Sequence, residues 1–204
     1  MPHKPTQVKL EAALRKKVPD IIAPNLRVLF CGINPGVYSA AVGHHFARPG
    51  NRFWPALHAG GFTDRLFTPD EDHDLLQLGY GLTNIVARTT ASAKELSSDE
   101  LLDGALRLTR KVEVYQPQVL AILGVSAYRM AFHQPRAQLG QQPERCGNTL
   151  LWVLPNPSGL NAHYSLPKLA AQFYELLAFT TNFLRSPSAS PRTTNREQRE
   201  QVDV

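Results

Sequence analysis

At 204 residues the chain is long enough for one domain with a substantial core, and its 43% apolar and 19% charged residues are ordinary for a globular protein. Twenty-two Lys and Arg against 17 Asp and Glu leave a formal charge of +5, which favours a polyanionic partner without requiring one. The two cysteines, Cys31 and Cys146, are too few for an all-cysteine zinc or iron–sulfur centre. Residues 1–9 lack the apolar stretch of a secretory signal and no apolar run approaches a membrane span. A soluble cytoplasmic protein is therefore expected, nucleoid-associated if bacterial, with no membrane partner.

In chain order, residues 6–19 place Val8, Leu10, Ala13, Leu14 and Val18 at helical spacing, with Lys9, Arg15, Lys16 and Lys17 on the opposite face. This predicts a basic amphipathic helix that ends at Pro19, within an N-terminal extension over 1–24. Residues 25–33 form an apolar run that ends in a Gly-Pro-containing turn, the pattern of a buried strand. Similar runs recur at 81–87, 118–124 and 150–154. Helix-like stretches lie at 96–112, where Ser97 and Ser98 precede Glu100 as in a capping box, at 125–133 and at 166–184. Strands alternating with helices predict a three-layer αβα fold around a mainly parallel, four-stranded sheet, spanning 25–185. From Ser186 the apolar residues nearly vanish, and 186–204 is expected to remain a disordered tail.

Open parallel sheets bind ligands beyond the carboxyl ends of their strands. Four loops meet that condition: 32–46, 88–94, the turn after Gly124, and 155–163. In the first, Gly32-Ile33-Asn34-Pro35-Gly36 sets a short amide at a strand end, suited to hold a water or a substrate carbonyl. In the last, Pro155-Asn156-Pro157-Ser158-Gly159-Leu160-Asn161-Ala162-His163 carries one apolar residue in a polar loop. Leu160 either tucks beneath the loop as an anchor or projects as a wedge between base pairs. The histidines show no HxxxH pairing and there is no CxxC, so no metal site is expected. A P-loop and a GxGxxG turn are also absent, which disfavours a generic nucleotide-binding module.

Taken together, GINPG (32–36), GHHFARPGNRFWPAL (43–57), GLTNIVARTTASAKELS (81–97), YQPQVLAILG (115–124) and NPSGL (156–160) resemble the mismatch-specific uracil- and thymine-DNA glycosylase branch of the uracil-DNA glycosylase superfamily. The resemblance runs over about residues 25–180, with the motifs in family order. It implies a monomeric, monofunctional, cofactor-free DNA repair glycosylase. Such an enzyme flips uracil, and with it other modified pyrimidines, out of double-stranded DNA carrying G·U or related lesions and hydrolyses the N-glycosidic bond. By match to the motifs, Asn34 would position the attacking water and Phe46 would stack on the flipped base. The backbone near Ile33 and Phe46 would read the uracil edge, Ser39 would crowd the C5 substituent, and Thr89, Thr90 and Ala93 would line the pocket. Leu160 would fill the gap in the duplex, Gly159 and Asn161 would face the widowed guanine, and Asn156 and Ser158 would brace the loop against phosphates. The chain departs from a common bacterial form, which has serine and arginine after the leucine. Here Asn161, Ala162 and His163 follow, with one extra residue, and His163 would partly replace the arginine. Ala93 brings no functional group to the pocket, so a catalytically weak, damage-sensing DNA-binding protein of the same fold is the alternative reading.

Overall fold

The computed structural model describes residues 5–185, and the tail expected to be disordered lies outside them. Five strands are present: β1 (Val28–Gly32), β2 (Tyr80–Asn84), β3 (Val119–Leu123), β4 (Gly140–Cys146) and β5 (Thr149–Leu154). They form one sheet in the order β2-β1-β3-β5-β4, with β1 pairing in parallel with β2 and β3, and β3 in parallel with β5. Every residue of β1, β3 and β5 is buried, so these strands carry apolar side chains on both faces.

The two faces separate by the two-residue period of a strand. Val28 and Phe30 of β1, Val119, Ala121 and Leu123 of β3, and Leu150, Trp152 and Leu154 of β5 enter one core, beneath α3 (Phe53–Ala59) and α6 (Leu166–Arg185). Leu29 and Cys31, Leu120 and Ile122, and Leu151 and Val153 enter the other, beneath α4 (Ser98–Tyr115) and α5 (Val125–Ala131). The first core is rich in aromatics: the Phe30 ring meets Phe53 and Phe62 edge-on at 5.6 and 5.2 Å and stacks near Phe173 at 5.8 Å. Each such pair adds about 0.5–1.5 kcal/mol beyond the area it buries.

The sheet has one strand more than the sequence predicts. β4, GQQPERC, is polar, contains Pro143, and pairs antiparallel with β5 at the sheet edge, with a register shift between Gln141 and Arg145. An edge strand needs only one buried face and tolerates proline, so it lacks the continuous apolar run by which the other four are recognised.

The N-terminal helix is also shorter than its periodicity suggests. α1 spans only Gln7–Ala13, capped by Thr6, and packs through Ala13 against Ala40 of α2 (Val37–Val42). After Ala13 the backbone bonds tighten to the 3-10 spacing, Leu14 to Glu11, Arg15 to Ala12 and Lys16 to Ala13. The chain then extends, with the Thr89 hydroxyl donating to the Lys16 carbonyl at 2.7 Å and Ile21 exchanging two backbone bonds with Leu82. No helix among the described residues is long and apolar enough to cross a membrane.

The helix expected at 96–112 begins with the anticipated capping box. Ser97 Oγ accepts the Glu100 amide and Glu100 Oε2 accepts the Ser97 amide. Glu100 also accepts Arg88 Nε at 2.6 Å and Nη2 at 3.0 Å, tying the loop after β2 to α4. The Arg88 guanidinium, helped by the Ser97 amide, holds the Glu100 carboxyl at about 2, well below its ordinary value of 4.5. A carboxylate depressed on folding stabilises the native state above its unfolded value and loses that contribution as pH falls through the folded one. Glu100→Gln should therefore lower Tm slightly at pH 7, since solvent screens most of an exposed pair's attraction. The gap from the parent should shrink between about pH 4.5 and pH 2, as read by thermal melts across that window. A gap that stays constant over it would contradict the assignment.

Candidate active site

The carboxyl ends of β1, β2, β3 and β5 open onto one cavity of about 590 Å³. Its walls come from Gly32–Gly36 after β1, Thr90–Lys94 after β2, Gly124–Ala127 after β3 and Pro155–Ser158 after β5, with Ser39, Phe46 and Arg48 from the segment that follows β1. Among the described residues no aspartate or glutamate lines it, whereas Arg48, Lys94 and His163 do. The cavity is therefore uncompensated in positive charge and suited to a polyanion.

Asn34 sits where β1 ends. Its Nδ2 donates to the Arg88 carbonyl at 2.9 Å and the Thr90 hydroxyl at 2.7 Å, with the Pro35 carbonyl at 3.3 Å. Carbonyl oxygens only accept, so these partners decide which end of the amide is nitrogen. The amide oxygen is thereby turned away from them, on a residue that lines the cavity. The loop after β2 has little freedom to release this clamp: the Thr90 amide donates to the Pro35 carbonyl at 3.2 Å, and Gly36 and Thr90 form an isolated parallel bridge.

Gly32 makes room for the next part. A β-carbon there would lie 2.5 Å from Asn84 Oδ1 and 3.3 Å from the Phe46 ring, so only glycine lets both approach the strand end. The Phe46 backbone is left-handed, φ 54°, and its ring stacks on Phe53 at 4.1 Å. A non-glycine residue in that region is held there by its surroundings. Ser39 Oγ accepts the Ala47 amide at 3.1 Å, and Asp72, 1% exposed, accepts the His45 amide at 3.2 Å. The Asp72 carboxylate also stands 3.2 Å from His44 Nδ1 and 2.9 Å from His73 Nδ1. The His45 ring is buried and directs Nε2 at the Pro19 carbonyl, 2.9 Å away, which requires a proton on that nitrogen. Burial lowers the pKa of this imidazole and favours its neutral form.

The loop after β5 is built from its own polar side chains. Asn156 Oδ1 accepts the Ser158 amide, Ser158 Oγ accepts the Leu160 amide, and the Asn161 side chain donates to the Asn156 carbonyl. Leu160, 75% exposed, projects from it, so the tucked-anchor alternative does not hold. Gly159 packs against Gly50: a β-carbon there would come within 2.6 Å of the Gly50 carbonyl oxygen.

Of the residues singled out in the sequence, Ile33, Asn34, Ser39, Phe46, Thr90, Ala93, Asn156, Ser158, Leu160, Asn161 and His163 line the cavity together. Two do not. Thr89 is buried with its hydroxyl on Lys16, and Gly159 faces Gly50. The Asn161 amide is turned into its own loop rather than outward. Glu95 accepts the Ser92 amide at 2.7 Å and caps the short 3-10 turn Ala93–Glu95.

Sequence reasoning missed His45 and Asn84 as cavity residues, and it missed Arg52. Arg52 precedes α3 in sequence, yet its guanidinium donates to the carbonyls of Ser158 at 2.5 Å, Asn161 at 2.8 Å and Tyr164. Nothing local signals those partners, because they lie more than a hundred residues away.

A family model for the uracil DNA glycosylase superfamily matches residues 19–181. Among solved structures, the chain is similar to the solution structure of a candidate uracil DNA glycosylase from Methanosarcina acetivorans. The identity is 19%, the TM-score 0.53, and the match covers 80% of this chain and 98% of that one, a likeness of fold. With a match across most of its length and a cavity at the carboxyl ends of a parallel sheet, the chain belongs to the uracil-DNA glycosylase superfamily, a family of DNA repair glycosylases.

Proposed function

We propose that this protein releases uracil, and with it other modified pyrimidines, from mispaired DNA by flipping the nucleotide into the cavity and hydrolysing its N-glycosidic bond. This is the chemistry of the mismatch-specific branch. The observation that carries the reading is the Asn34 amide, whose polarity is dictated by the Arg88 and Pro35 carbonyls. A water that donates one hydrogen to Asn34 Oδ1 keeps a lone pair directed at the sugar carbon from which the base departs. An amide is a poor general base, and no carboxylate lines the cavity among the described residues. The rate enhancement then rests on placing the water and on stabilising the departing uracil anion with fixed dipoles, including the backbone near Ile33 and Phe46. Slow turnover follows from that division of labour.

Phe46, braced by Phe53, offers a stacking surface for the flipped base, an interaction worth about 1–3 kcal/mol. Ser39, held beneath the Phe46 loop by its bond to Ala47, would crowd a bulky C5 substituent. Leu160, extended into solvent, would fill the gap left in the duplex. Arg48 and Lys94 at the cavity supply charge for the flanking phosphates, with His163 beside them. The reading takes the protein as a monomer that uses no cofactor and performs only base release.

Asn34→Ala should reduce single-turnover base release from a G·U duplex by about 100-fold or more, because positioning is lost, with duplex affinity nearly preserved. An unchanged rate would remove Asn34 from the mechanism. Leu160→Ala should slow release from paired uracil by about tenfold more than from single-stranded uracil, since insertion between base pairs is needed only in the duplex. Equal losses on both substrates would dismiss the wedge. Comparing the parent on uracil opposite guanine, opposite adenine and unpaired separates a mismatch-specific enzyme from a broad one. Tight binding of the G·U duplex without release would identify a damage sensor.

A further inference from the structure

We propose that Arg52 is a positioning residue that preforms the Leu160 loop for entry into a duplex. The proposal rests on the glycosylase reading above. Arg52 sends Nη1 to the Tyr164 carbonyl and Nη2 to the carbonyls of Ser158 and Asn161, while its own backbone amide donates to the Pro157 carbonyl at 3.0 Å. Among the described residues it forms no ion pair, and its buried Nε has no hydrogen-bond partner. A guanidinium partly withdrawn from water without a carboxylate is costly unless other dipoles replace the lost solvent. Here the replacement is supplied by one loop, which closes around the side chain as a peptide closes around a bound cation.

The arrangement serves the loop as much as the arginine. The stretch from Pro155 to Ser165 has neither helix nor strand to order it, and its carbonyls at 158, 161 and 164 converge on a single side chain. Leu160 stands between the first two of these anchors and is held out into solvent. An exposed apolar side chain on an unrestrained loop would fold down onto neighbouring apolar surface. A second contact fixes the same unit independently: Gly159 lies against the Gly50 carbonyl so closely that no β-carbon fits. The turn at 50–52 and the loop at 157–164 thus behave as one rigid piece. Arginine is specifically suited to this, because its planar fork serves several carbonyls at once, whereas lysine offers one point of charge.

The test compares the parent with Arg52→Lys and Arg52→Gln, in the full chain, by single-turnover release from duplex G·U and single-stranded uracil and by amide hydrogen exchange. Both variants should lower the duplex to single-strand rate ratio by about tenfold. Leu160→Ala introduced on top of Arg52→Lys should add little further loss, because the two act on one insertion step. Exchange over 157–164 should accelerate while β1 and β3 keep their protection, which separates a loosened loop from general unfolding. An unchanged ratio, full additivity with Leu160→Ala, or unaltered exchange over 157–164 would each overturn the proposal. If the parent releases base from neither substrate, the glycosylase reading fails on its own, and the exchange result alone decides whether Arg52 orders the loop.

Discussion

Everything in this molecule follows from a strand, β1, that is buried on both faces and paired in parallel on both edges. Parallel neighbours cannot be joined by hairpins, so each connection must cross over a face of the sheet, and helices come to cover both sides. The same geometry brings the carboxyl ends of β1, β2, β3 and β5 to a single edge. The chain leaves them in irregular loops whose backbone groups the sheet no longer satisfies. A cavity at that edge is a topological consequence before it is a functional one.

What makes the cavity a defined site is the way its loops satisfy one another. Asn34, from the first loop, donates to the carbonyl of Arg88 in the second. Arg88 in turn grips Glu100 at the start of α4, so the second loop is anchored to a helix. Arg52 holds the carbonyls of the loop after β5, and Asp72 and Ser39 hold the amides of His45 and Ala47 on either side of Phe46. Most of these bonds join segments distant in sequence, and each removes freedom from a loop that has no ladder of its own. Buried polar groups are expensive when unpaired. The site is therefore rigid for the same reason that it is polar.

The electrostatics are consistent with this economy. With no carboxylate lining the cavity among the described residues, the interior favours neither a strong base nor a bound cation, while the basic side chains at its walls attract phosphate. In the proposed mechanism an amide with enforced polarity, a braced aromatic ring and a projecting leucine carry the chemistry. None of the three needs to titrate near neutral pH.

The sequence by itself determined the four apolar strands, the long helices α4 and α6, and the two loops rich in glycine, proline and asparagine at strand ends. Periodicity and turn chemistry are local properties, written in neighbouring residues. Local signals did not reach β4, whose stability comes from pairing at an edge rather than from burying an apolar run, nor the early end of α1, after which the chain is tied to Thr89 and Leu82, residues distant in sequence. Asn34 and Phe46 could be selected from their motifs, but which way the Asn34 amide faces depends on the Arg88 and Pro35 carbonyls. Leu160 could equally have been an anchor or a projection. The choice was made by Arg52 and Gly50, which reach its loop from a turn more than a hundred residues earlier. Such contacts are encoded in the pairing of distant segments, and that pairing exists only once the sheet has brought their ends together.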